Sequence, residues 1–128
     1  MVYEVKMPIL GFDNVSKLEL SEIDDIFVSA RNAEDNVPAF TLINPYALRE
    51  YSFDIPIAAK VLLDITSDSK LLVYNIVVLQ NPIESSVVNF LAPLVFNTDT
   101  KVMGQIVLDA TKYPQFGVAE KIENYLQK

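Results

Sequence analysis

The stretch "PIESSVVNFLAPLVFN", residues 82–97, decides how this chain is read. Its alternation is that of a strand, with Val88, Phe90, Ala92, Leu94 and Phe96 on one face and Val87, Asn89, Leu91, Pro93, Val95 and Asn97 on the other. The first face is wholly apolar and is expected to be core. The run nevertheless holds two prolines, and proline cannot donate to a strand ladder. Pro82, at its head, reads as turn punctuation. Pro93 reads as an edge or bulge where the ladder is interrupted and Ala92–Pro93 bends the chain.

Upstream, "KLLVYNIVVLQ", residues 70–80, alternates in the same way. Leu72, Tyr74, Ile76 and Val78 share one face, and Asn75 lies among Leu71, Val73, Val77 and Leu79 on the other, so both faces are expected to be covered. If the chain folds back near Ile83, Asn75 and Asn89 become cross-strand neighbours that satisfy one another's amides. A surface amide ladder reading a partner's backbone is the functional alternative. Downstream, "NTDTK" (97–101) makes a hairpin connection into "VMGQIVLD" (102–109), with Val102, Gly104, Ile106 and Leu108 inside.

Toward the amino terminus, "VYEVKM" (2–7), "SKLELSEI" (16–23), "DIFVSAR" (25–31) and "AFTLIN" (39–44) read as further strands. Gly11 is available for positive φ in the turn after the first, and Asn44-Pro45 stops the fourth. "IPIAAKVLLDI" (55–65) predicts a short helix, with Pro56 in its first turn and Ile57, Ala58, Val61, Leu62 and Ile65 at helical spacing. "FGVAEKIENYLQK" (116–128) predicts a carboxy-terminal amphipathic helix with Val118, Ala119, Ile122, Tyr125 and Leu126 on its apolar stripe. No repeat, low-complexity linker or shift in composition divides the 128 residues. The expectation is a single, mainly antiparallel β-domain over residues 1–128.

Cysteine and histidine are both absent. Their absence removes disulfides, thiolate metal sites, the commonest general base and the most reactive nucleophile. Catalysis would need a carboxylate pair, a Ser–Lys pair or a phosphate cradle. Ser67, Ser69 and Lys70 in "SDSK" are explained by turn chemistry, and three isolated glycines form no phosphate loop. The expected class is non-enzymatic, without cofactor. The longest apolar runs are about half the ~20 residues a bilayer span requires. Glu4 and Lys6 interrupt the place where a signal peptide would be apolar, so a cytoplasmic protein is expected.

A net charge of −7, without a basic stripe, makes the chain a poor binder of nucleic acid or anionic membrane but suits it to a basic partner. "ELSEIDD" gathers Glu19, Glu22, Asp24 and Asp25 within seven residues. It lacks the glycine and ligand spacing of a calcium loop. A charged strand edge that deters pairing, an acidic docking patch and a hard-cation site are the three readings.

In order and spacing, "MPILGF", "FTLINPYALREYSFDIP" and "VVLQNPIESSVVNFLAPLVFNTDTKVMGQIVLD" resemble the flagellar assembly factor family, FliW. The resemblance runs from Met7 to Pro114, and its most specific part is the signature carried by Pro82, Glu84, Asn89, Ala92, Pro93 and Asn97. The carboxy-terminal segment departs most from it. The resemblance implies a compact β-barrel-like fold and a cytoplasmic partner switch. Such a protein binds newly made flagellin as a chaperone and, when freed, captures the RNA-binding repressor CsrA, relieving repression of the flagellin message. An acidic antagonist of a basic repressor gains association rate from long-range attraction. Flagellin's unpaired amphipathic termini require an apolar groove, for which Tyr46, Leu48, Tyr51 and Phe53 are candidates, Phe53 being equally explicable as core. Glu19, Glu22, Asp24, Asp25 and Glu84 are the steering candidates, Asn89 and Asn97 the polar ones. The free protein is expected to be a monomer. A structural assembly domain without CsrA antagonism and a small carboxylate-dependent enzyme are the competing readings.

Overall fold

The computed structural model describes residues 1–125. Its strands are β1 (Val2–Met7), β2 (Lys17–Glu22), β3 (Phe27–Asn32), β4 (Ala39–Ile43), β5 (Leu71–Val78), β6 (Val87–Val88), β7 (Leu94–Asn97), β8 (Val102–Gln105) and β9 (Glu120–Lys121). One helix, α1 (Ile57–Leu62), lies between β4 and β5. The strands neighbour one another in the order β4-β3-β2-β1-β8-β7-β5, and β4 pairs again with β5, so seven strands close into a barrel. Closure disposes of the exposed edges that an open sheet would leave. It requires one departure from antiparallel pairing: β1 meets β8 in parallel, with Glu4 opposite Val102 and Val5 opposite Met103.

Alternation along each strand sends side chains to two cores. The barrel interior holds Tyr3, Leu18, Val28, Ala30, Leu42, Leu94, Phe96 and Met103. A second cluster lies outside it, where Val77, Val95 and Val102 are covered by Tyr51, Ala59, Leu63, Phe116 and Ile122. β5 serves both: Tyr74 and Ile76 face the interior cluster, Val73 and Val77 the outer one.

The opening stretch is therefore not one strand with one core face. β5 pairs with β7 up to Tyr74↔Leu94 and with β6 from Val77↔Val88. Residues 75 and 76 of β5 thus stand opposite residues 89–93, and the odd excess inverts the alternation. Val88 and Phe90 fall in the outer core, Leu94 and Phe96 in the inner one. Pro93 sits in this break, where its carbonyl accepts from Ile106 N (2.9 Å) and the Leu91 carbonyl from Leu108 N (2.7 Å). Val102, Ile106 and Leu108 are buried as expected, but under the outer layer.

α1 forms where expected with a different face down. Ala59 and Leu63 are buried, whereas Ile57, Val61 and Leu62 are exposed. Its rotation is set at the carboxyl end: Asn97 Nδ2 donates to the Leu63 carbonyl (2.9 Å) and the Asp64 carbonyl (3.2 Å). Leu63 lies over Gly104, where a Cβ would come within 2.6 Å of Met7 Cβ and 3.3 Å of Leu63 Cδ2. Only glycine permits that approach.

The carboxy-terminal amphipathic helix does not form over the described part of residues 116–128. Glu120–Lys121 instead pairs with β6 as β9, and Ile122–Tyr125 makes a 3₁₀ turn. Main-chain bonds to the barrel displace the helix: Phe90 N donates to Gly117 O and Ile122 N to Ser86 O, both at 2.9 Å. Phe116 and Ile122 are buried by this path, while Val118, on the expected stripe, is 64% exposed. Leu126 lies outside the described residues.

Candidate partner-binding surface

The break in the ladder is held by a buried polar pair. Asn75 Nδ2 donates to the Asn89 carbonyl (2.9 Å) and the Tyr51 hydroxyl (3.2 Å), and Tyr51 Oη donates to the Phe90 carbonyl (2.6 Å). Burial pushes the Tyr51 hydroxyl far above its ordinary pKa, so it stays a donor. Asn75 and Asn89 are neighbours, as their register predicts, but they meet through the Asn89 backbone. The Asn89 side chain caps Leu91 N at 3.0 Å. Asn97 is fully buried: besides holding α1, its Oδ1 accepts from Asp99 N at 3.0 Å. Tyr51 and Asn97 are thus internal supports rather than exposed groove residues.

The β2–β3 turn makes a two-part surface. On one side Glu22, Asp24 and Asp25, with Val28, Asn44 and Tyr74, line a hollow of about 200 Å³. Asp24 builds the turn, its Oδ1 accepting from Phe27 N (2.8 Å) and Ile26 N (2.9 Å). Those two amides hold its carboxyl below the usual aspartate value. On the other side the next residues, Ile26 and Phe27, open an apolar groove of about 300 Å³ with Ile43, Leu48, Ile83 and Ile122, edged by Glu84. The groove and the acidic hollow share one turn, so an apolar floor lies beside three carboxylates.

Of the residues singled out in the sequence, the fold brings Glu22, Asp24 and Asp25 together in the hollow, and Leu48 and Glu84 in the groove. Glu19 is apart from both, paired with the Met1 amino group. Tyr46 is exposed and edges a separate cavity of about 280 Å³ with Tyr51 and Phe53. Asn89 lines a larger one, about 410 Å³, with Leu10, Val78 and Val118. Ile26, Phe27, Ile43, Ile83 and Ile122 escaped sequence reasoning as groove residues. Two of them carried a signal: Ile26 sits inside an otherwise acidic turn and Ile83 inside the proline-led signature, places where an apolar residue has no strand to join.

Arg49 was missed altogether. Its guanidinium lies 5.0–5.4 Å from the ring centroids of Phe116, Phe90 and Tyr125. It donates to the Gln115 carbonyl (3.3 Å), the Tyr125 hydroxyl (3.0 Å) and Glu120 Oε1 (3.5 Å). A planar fork stacked on aromatic faces suits arginine and not lysine. Burial and the bond to Glu120 raise the Tyr125 pKa. Among the described residues no acidic cluster is arranged to hold a metal, and no helix is long and apolar enough to cross a membrane.

Comparison with known proteins supplies the family. A family profile described as FliW protein matches residues 1–117. Flagellar assembly factor FliW 2 of Wolinella succinogenes is 53% identical over 98% of this chain and 92% of its own. Flagellar assembly factor FliW of Sulfurimonas denitrificans is 50% identical over the whole of both chains. A crystal structure of the flagellar assembly factor FliW superposes with a TM-score of 0.87 at 20% identity, covering 99% of this chain and 87% of the other, which confirms the barrel fold. The family is one of flagellar assembly factors and not of enzymes. On a profile over most of its length and relatives at half identity, this chain belongs to the FliW family of flagellar assembly factors.

Proposed function

We propose that this protein acts in the cytoplasm as a two-partner switch, holding unassembled flagellin and, once freed, capturing CsrA to relieve repression of the flagellin message. The observation that carries the reading is the apolar groove of Ile26, Phe27, Ile43, Leu48, Ile83 and Ile122 lying against the carboxylates of Glu22, Asp24, Asp25 and Glu84. A groove of this kind accepts the apolar face of an amphipathic helix, as flagellin's terminal segments offer. The acidic margin, in a chain of net charge −7, speeds encounter with a basic RNA-binding protein. The two partners therefore compete for one turn of the molecule, and the free protein is a monomer.

Titration calorimetry with purified flagellin, followed by CsrA added to the complex, tests this. Loss of CsrA binding in the presence of saturating flagellin is expected. A ternary complex with both affinities unchanged would remove the switch.

A further inference from the structure

The groove has two walls that no strand ladder joins. Leu48 stands on the 3₁₀ segment Pro45–Ala47 and its cap, and Ile122 begins the 3₁₀ turn Ile122–Tyr125. The second wall is moored by main-chain pairing only up to Ile122, through the two residues of β9 and the Ile122 N bond to Ser86 O, and the turn that follows has side-chain fastenings alone to the first wall. Arg49, adjacent to Leu48, spans the gap. Its bonds to Glu120 and Tyr125 bracket Ile122, and a third reaches Gln115. Both members of the Arg49–Glu120 pair are mostly buried, with side chains 18% and 21% exposed, so the contact is shielded from the screening that weakens surface pairs.

We propose that Arg49 is the positioning residue of the partner groove, stapling the carboxy-terminal turn that carries Ile122 to the segment that carries Leu48, so that the groove is complete only while this clamp is closed. The inference rests on the groove being the flagellin site. None of Arg49's contacts reaches the barrel interior, so the barrel stays folded when the clamp is loosened. Lysine at this position keeps the charge and loses the planar group packed against three rings.

The test compares Arg49→Lys, Glu120→Gln and Ile83→Glu by calorimetric titration with purified flagellin monomer, with amide hydrogen exchange on each free variant. Ile83 is half exposed in the groove and makes no part of the clamp. Its substitution reports on the site itself and is expected to abolish binding. Arg49→Lys and Glu120→Gln are expected to weaken flagellin binding roughly tenfold, the change produced if the competent arrangement falls to about one-tenth of the population. Exchange rises over residues 120–125 and stays slow in β1, β2 and β8. If Ile83→Glu abolishes binding while the clamp variants lower thermal stability at unchanged affinity, Arg49 is merely structural and the inference fails with the site intact. If Ile83→Glu binds normally, the groove is not the flagellin site and both statements fall.

Discussion

The two cores of this molecule are built by different means. The barrel interior is assembled from regular ladders, and its largest side chains, Tyr3 and Phe96, meet edge to face at a centroid distance of 5.0 Å. The outer core is closed over the outward face of the barrel by pieces with little pairing of their own: α1, 3₁₀ turns and the two-residue β9. It is therefore held by side chains that reach to backbone, with Tyr51 and Asn75 at the ladder break, Asn97 beneath α1 and Arg49 at the carboxy-terminal turn. The difference separates two tasks. A closed ladder with an apolar filling supplies stability, whereas irregular segments fastened at single points can present a groove and can open locally at low cost.

The sharpest way to break this comparison is to damage each core in turn. Phe96→Ala empties a fully buried ring position inside the barrel and should cost about 3–5 kcal/mol, read from the urea midpoint. Tyr51→Phe removes one hydroxyl from the outer core, leaving the Phe90 carbonyl without its donor and Asn75 Nδ2 with the Asn89 carbonyl as its remaining acceptor. About 1–3 kcal/mol is the expected loss. If the second substitution proves as costly as the first, the outer layer is not subsidiary and the division fails. Exchange sharpens the result. Tyr51→Phe should accelerate amides of residues 88–92 more than those of β1 or β2, because it unfastens the ladder break and leaves the interior packing untouched.

Strands were legible because their alternation is local. β1 to β5 begin and end within two residues of where the apolar pattern places them. The seven-strand closure was not, since no local pattern announces the parallel meeting of β1 with β8. Pro93 did reveal the interruption after β6. It could not reveal that the excess was odd, and so Val88 and Leu94 were placed on one face although they serve different cores. Helical spacing misled twice, at the face of α1 and at residues 116–125, for the same reason. Apolar residues every three or four positions fit a helix, but at both places long-range bonds to the barrel backbone outweigh a short helix's weak propensity. The candidate site was half legible. Three of the four acidic residues clustered in sequence, Glu22, Asp24 and Asp25, stay clustered in space, whereas the groove unites four segments far apart in the chain.

The smallest expected effects separate the residues of the acidic turn from each other. Asp25 and Glu22 are exposed and their side chains make no hydrogen bond that shapes the fold, so Asp25→Asn with Glu22→Gln should leave the urea midpoint unchanged. The same pair should slow association with CsrA in stopped-flow measurements at low salt. The difference should shrink at physiological ionic strength, where exposed charges are screened over ~8 Å. Asp24 should behave otherwise, because its carboxylate accepts from the Ile26 and Phe27 amides that lead into the groove. A carboxyl whose folded-state pKa is lowered adds stability that is complete above its ordinary value of 3.8 and is lost as pH falls through the lower folded value. Asp24→Asn should therefore flatten the acid limb of the stability profile, read from urea midpoints across the acid range. An acid limb unchanged by Asp24→Asn would show that the turn does not depend on the Asp24 charge, and the acidic margin would then be a matter of steering alone.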